Sequence, residues 1–109
     1  MLTGKDYCDK DTAFALQELG YYPYMFYDDG TPSIHLWYAQ KWMREEKNID
    51  VLIQLETKDI HLSSKHYSIY ISYMSRFRRE FSYMSKNFDS YEEALSEGIK
   101  EAIKILKER

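Results

Sequence analysis

A chain of 109 residues, 44% hydrophobic and 30% charged, is sized and composed for one globular domain with its own core. Its net charge of −3 excludes binding to nucleic acid through overall charge, and no apolar run approaches the roughly 18 residues of a membrane span. The lone Cys8 excludes an internal disulfide, and no apolar stretch follows Lys5 as a secretion signal would require, so a reducing cytoplasm is the expected setting.

The first element is a helix from about Asp9 to Leu19. Asp9 is a good N-cap, Asp11 sits in the positive first turn, and Gly20 supplies a left-handed stop. Ala13, Leu16 and Leu19, with Ala15, form its apolar stripe. Tyr24 to Asp28 reads as a short strand, and Asp28-Asp29-Gly30-Thr31-Pro32 as a turn.

The next segment has two readings. Ile34 to Tyr38 fits a return strand across Asp29-Gly30. A helix that starts between Ser33 and Leu36 and runs to about Lys47 fits better, because Leu36, Ala39, Trp42, Met43 and Glu46 share a face with Tyr38 beside them. Asn48 suits the position after the helix end, with Ile49 as the apolar contact that follows.

Asp50 to Glu56 alternates as a strand, with Val51, Ile53 and Leu55 on one side and Leu52, Gln54 and Glu56 on the other. Thr57-Lys58-Asp59 is a polar break, and His61 to Lys65 a loop. In the strand from Tyr67 to Met74, Tyr67, Ile69, Ile71 and Tyr73 look inward, while Ser68, Tyr70, Ser72 and Met74 form a partly wet face. Another strand lies within Arg78 to Ser85. Ser72-Tyr73-Met74-Ser75 recurs ten residues later as Ser82-Tyr83-Met84-Ser85, as two arms of one hairpin would allow.

The last helix is the best specified. Ser90 and Glu93 form a capping box, and Tyr91, Ala94, Leu95, Gly98, Ile99, Ala102, Ile103 and Leu106 follow the helical period. Acids occupy its first turn and Lys104, Lys107 and Arg109 its last, as the helix dipole favours. The fold class that follows is α+β: a mainly antiparallel sheet of three to four strands, with about three helices packed on one face, in the order α-β-α-β-β-β-α.

Catalytic and metal motifs are weak. There is no Gly-rich phosphate loop, nucleophile elbow or His-Glu-x-x-His, and nothing places a base beside Cys8. His35, His61 and His66 lack metal-ligand spacing, even with Asp59 near two of them. A non-enzymatic protein without cofactor or metal is the expectation.

Binding chemistry concentrates in one hairpin. From Lys58 to Lys86 six bases face two acids, which leaves −7 for the rest of the chain. Of the eleven tyrosines, Tyr67 and Tyr73 fall in phase with core residues, whereas Tyr70 lies on the opposite side of its strand. Tyr70, Tyr83 and Phe77, with Arg76, Arg78, Arg79 and Lys86, are therefore the candidate binding residues. Tyrosine and arginine are enriched at interface hot spots, which favours a protein partner or a homodimer; the strand edge is a second means of joining another chain. Nucleic acid is the alternative, with rings for base stacking and cations for the backbone. The order helix, three strands, helix from Leu36 onward resembles double-stranded-RNA-binding domains, which hold phosphate with lysines at the start of the last helix. Here Tyr91-Glu92-Glu93 would repel it.

Three stretches carry a further resemblance: Cys8-Asp9-x-x-Thr12-Ala13 through Gly20-Tyr21, Ala39-Gln40-Lys41-Trp42-Met43-Arg44-Glu45 with Asn48-Ile49, and Tyr91-Glu92-Glu93-Ala94. Together they resemble small uncharacterised proteins of phages, prophages and mobile elements of gut anaerobic bacteria. In those proteins a helix with an A-x-K-W-L-R-E pattern precedes a strand, and T/S-Y-E-E-A opens the last helix. Ile34-His35 departs from the Pro-Thr helix start of that group. The resemblance implies a bacterial cytoplasm and a mobile-element origin, and it brings no activity and no functional residues.

Overall fold

A long hairpin and the helix after it organise the chain. The computed structural model describes residues 4–23, 25–56 and 65–108. Strands β4 (Lys65–Ser75) and β5 (Arg78–Phe88) pair antiparallel along their whole length, from Lys65↔Phe88 to Ser75↔Arg78. β3 (Ile49–Glu56) pairs antiparallel with the other side of β4, so the sheet order is β3-β4-β5. Strand alternation then sorts the side chains into two faces. Val51, Tyr67, Ile69 and Ile71 are buried on the inner one.

Helix α3 (Tyr91–Lys107) covers that inner face with Ala94, Leu95, Ile99, Ala102 and Ile103, all buried. Ser90 Oγ accepts the Glu93 N–H at 3.2 Å, as the capping box requires. The Glu93 carboxylate reaches back to the N–H of Asp89, one residue earlier than in the usual box. Gly98 lies on the buried stripe and meets the sheet directly, which explains an otherwise costly helix-interior glycine.

Helix α1 (Lys10–Glu18) begins at Asp9, whose carboxylate accepts the Thr12 N–H at 2.8 Å. It ends in a Schellman motif around Gly20, φ +111°: the Tyr21 N–H reaches the Leu16 carbonyl and the Gly20 N–H that of Gln17. An ion pair of 2.7 Å between Asp9 and Lys100 ties the start of α1 to α3.

The helix reading of the middle segment holds, and the return strand expected over Ile34 to Tyr38 does not form there. The Asp29-Gly30 turn does close a hairpin, but its arms are β1 (Met25–Phe26) and β2 (Pro32–Ser33). Ile34 is buried and leaves the strand path, and α2 (Leu36–Glu46) begins directly after His35. His35 caps α2 by accepting the Trp37 N–H on Nδ1 at 3.1 Å, so an imidazole does what Ser or Asp usually does. Leu36, Ala39 and Met43 are buried as the period requires, whereas Glu46 and Tyr38 are exposed. Asn48 takes φ +56° after the helix, and Ile49 is buried behind it.

α2 lies against β3 and α3, and its Gln40 side chain donates to the Val51 carbonyl at 2.6 Å. The Cα extents of 43 × 41 × 19 Å hold two layers, one of strands and one of helices. The architecture is α+β: among the described residues there are a three-stranded antiparallel sheet, a separate two-stranded one and three α-helices in the expected order. The expected polar break at 57–59, the expected loop from His61 up to residue 64, and Tyr24 lie outside the described residues, whereas Lys65, expected in that loop, opens β4.

Candidate functional site

The outer face of the sheet carries large apolar side chains in water. Register places Leu52, Tyr70 and Tyr83 in one row across β3, β4 and β5. These three are 51%, 39% and 59% exposed, and Phe81 on the same face is 76% exposed. Met74 belongs to the face as well. The Tyr70 and Tyr83 rings sit 5.0 Å apart and tilted, a favourable aromatic pair that fixes both. A contiguous aromatic patch of this kind marks interaction surfaces in soluble proteins.

The seven sequence-predicted site residues are divided by the fold. Tyr70, Tyr83 and Arg79 share the outer face, because Tyr70 pairs with Tyr83 and Arg79 with Met74. Arg76 and Phe77 form the two-residue hairpin loop, with Phe77 96% exposed and Arg76 at φ +49°. Arg78 and Lys86 alternate onto the opposite side of β5. Two of the three arginines are neutralised within the chain: Arg78 Nε lies 2.8 Å from Glu80, and an Arg79 guanidinium nitrogen 3.8 Å from Asp50. The basic cluster is therefore less available to phosphate than its sequence suggests.

Leu52 and Phe81 join the face without having been singled out by sequence reasoning. The signal was present for Phe81, since it is in phase with Tyr83, but only the register brings Leu52 of β3 into their row.

The far end of the same face is polar. His66 Nδ1 lies 2.7 Å from Asn87 Oδ1, and Nε2 contacts the Ser85 hydroxyl. Ser68, fully buried, donates to Glu56 at 2.7 Å, and its hydroxyl lies 3.4 Å from that of Tyr83. Ser85, His66 and Asn87 stand in the order of nucleophile, base and orienting group. Direct cross-strand pairing of His66 with Asn87, and of Ser68 with Ser85, produces this order on an open sheet face. Ser85 and Asn87 are both exposed, without the water exclusion that makes such a constellation effective. Both ring nitrogens of His66 are engaged, and no three His, Cys, Asp or Glu side chains gather as a metal site among the described residues.

A second aromatic surface is formed by the N-terminal segment, the β1–β2 hairpin and the start of α2. Tyr7, Tyr21, Met25, Ser33, His35, Trp37 and Tyr38 line a cleft of about 470 Å³, with His35 in ring contact with Tyr7, Trp37 and Tyr38. Sequence reasoning did not single out this group, because Tyr7, Tyr21 and Tyr38 are far apart in the chain and meet only where the start of α2 docks beside Tyr7. Tyr21 is also held edge-on to Trp42 at 5.5 Å.

Cys8 is buried, and burial pushes its thiol up to about 12, helped by the neighbouring Asp9 carboxylate. Its position just before α1 therefore does not activate it. Comparisons with protein-family models, with curated proteins and with solved structures give no match.

Proposed function

We propose that this is a non-enzymatic protein-binding module that docks partners on the open face and outer edge of the β4–β5 hairpin. The observation that carries the reading is the exposed row Leu52, Tyr70 and Tyr83 with Phe81 beside it, on the sheet face opposite α3. Burying such rings on a partner removes apolar area from water at about 25 cal/mol per Å² before ordering costs. The buried thiol of Cys8 suits a reducing cytoplasm, the setting we assign to it.

Immobilised wild type and a Phe81→Asp variant, each incubated with lysate of the native host, test the reading. The expected result is a protein retained by the wild type, lost with the variant and insensitive to nuclease. Equal retention by the variant refutes it. Retention that nuclease or moderate salt abolishes supports nucleic acid as the ligand instead.

A further inference from the structure

We propose that two copies of this chain pair antiparallel along β5, in a register centred on Tyr83, and join their sheets into one of six strands. The inference rests on the hairpin being the binding surface and names a second copy as its occupant.

Among the described residues β5 has a single strand neighbour, β4, so this eleven-residue strand is an edge of the sheet. An edge of that length is a template for another strand unless something blocks it. Among the described residues α3 packs chiefly on β3 and β4 rather than on β5.

Two independent features select one register. In a two-fold antiparallel pair centred on Tyr83, residue 78 faces 88, and all eleven residues of β5 are paired; any shift leaves some of them unpaired. The same register puts Glu80 opposite Lys86 of the second copy, twice by symmetry. Moving the centre to Ser82 instead sets Arg78 against Lys86, a like-charge contact. The edge arginines do not oppose the chosen register, because Arg78 then faces Phe88 and Arg79 faces Asn87. Arg79 is moreover drawn toward Asp50, away from the edge.

The pairing also completes the exposed row. Leu52, Tyr70 and Tyr83 of one copy would continue into Tyr83, Tyr70 and Leu52 of the other, a six-residue band across one face. Tyr83 would gain a second ring across the axis, in addition to Tyr70 within its own sheet, at the spacing that aromatic cross-strand pairs favour.

Sedimentation equilibrium across a concentration series, with chemical cross-linking, tests this. The wild type should reach twice the chain mass of 13.2 kDa. Lys86→Glu, which sets a second carboxylate against Glu80, should weaken association about tenfold or more, and Glu80→Lys with Lys86→Glu should restore most of it. Tyr83→Cys should form an intermolecular disulfide on mild oxidation, because residues facing each other across the axis lie within disulfide reach. Ser85→Cys is the control: it faces Phe81 of the second copy and should not cross-link to itself. Cys8 is buried and stays out of the reaction.

A wild type that stays monomeric at every concentration overturns self-pairing. So does a dimer indifferent to Lys86→Glu in which Ser85→Cys cross-links as readily as Tyr83→Cys. A monomer whose partner binding is still lost with Phe81→Asp overturns the self-pairing but leaves the hairpin as a docking surface for another protein.

Discussion

A β-carbon placed on Gly98 of α3 would lie 2.7 Å from Val51 Cγ1 on β3. It would also come within 3.1 Å of Ile69 Cγ2. Both neighbours are stiff β-branched side chains in a paired sheet, so neither can swing aside cheaply. The absence of a side chain at position 98 sets how closely α3 approaches the sheet.

Gly98→Ala should therefore destabilise the protein, although alanine is better by about 1 kcal/mol in a helix interior. Overpacking costs of about 1–3 kcal/mol leave a net loss of roughly 1 kcal/mol in urea unfolding. In a Val51→Ala background the same change should be neutral or stabilising. A more stable Gly98→Ala in the wild-type background would contradict this close approach.

The outer face and the core should separate cleanly in melts. Leu95→Ala empties a fully buried position and should cost about 2–5 kcal/mol. Phe81→Thr keeps strand propensity at an exposed site and should stay within about 0.5 kcal/mol of wild type. A large loss from Phe81→Thr would mean that the ring serves the fold rather than a partner.

Arg76 opens a two-residue hairpin loop with φ +49°, a conformation that glycine, asparagine and aspartate take more readily in such loops. A left-handed conformation costs an ordinary residue about 1 kcal/mol or more. Arg76→Gly should raise stability by about 0.5–1 kcal/mol, read as a higher denaturant midpoint with an unchanged slope. A lower midpoint would show that the arginine side chain contributes a contact that outweighs its backbone cost.

The Asp9–Lys100 pair gives stability a defined pH dependence. Burial opposes ionisation of Asp9, but the Lys100 hydrogen bond and the Thr12 N–H outweigh it and hold the carboxyl below its usual range. A depressed carboxyl stabilises the fold above its unfolded pKa, near 3.8, and that contribution fades as pH falls through the lower folded value. The Asp9 hydrogen bond raises the Lys100 ammonium, so its contribution is present below about 10.5 and fades as pH rises through the higher folded value. Both side chains are nearly half exposed, so the pair is worth well under 1 kcal/mol after screening. Asp9→Asn keeps a cap but no charge, and should flatten the loss of stability that sets in near the unfolded pKa of 3.8 and runs down through the lower folded value. An unchanged acid limb would assign that limb to other carboxylates.

The Cys8 thiol should be inert in the native state. Burial keeps it protonated at pH 8, so a thiol reagent should react only at the rate of unfolding and promptly in urea. Fast labelling of folded protein would place the residue nearer the surface than its 6% exposure allows.

The sequence by itself determined the local structure. Asp9 and Ser90 announce helix starts, Gly20 and Asn48 announce stops, and period-2 alternation separates Tyr67 from Tyr70. Each signal depends on residues within about four positions, where backbone hydrogen bonding and side-chain direction are decided. His35 escaped that reading because its cap uses a ring nitrogen, and Pro32–Ser33 because a two-residue strand has no period to detect. The site was half legible. Its tyrosines and arginines were visible as an excess, but their grouping was not. The repeated Ser-Tyr-Met-Ser does not pair with itself: Tyr73 faces Glu80 and Tyr83 faces Tyr70, because the turn at Arg76 and Phe77 sets the register. Only the tertiary structure decided that α3 covers one face and leaves Leu52, Tyr70, Phe81 and Tyr83 on the other. Which face a helix chooses is a matter of contacts between residues far apart in the chain, such as Gly98 and Val51, and no local pattern carries it.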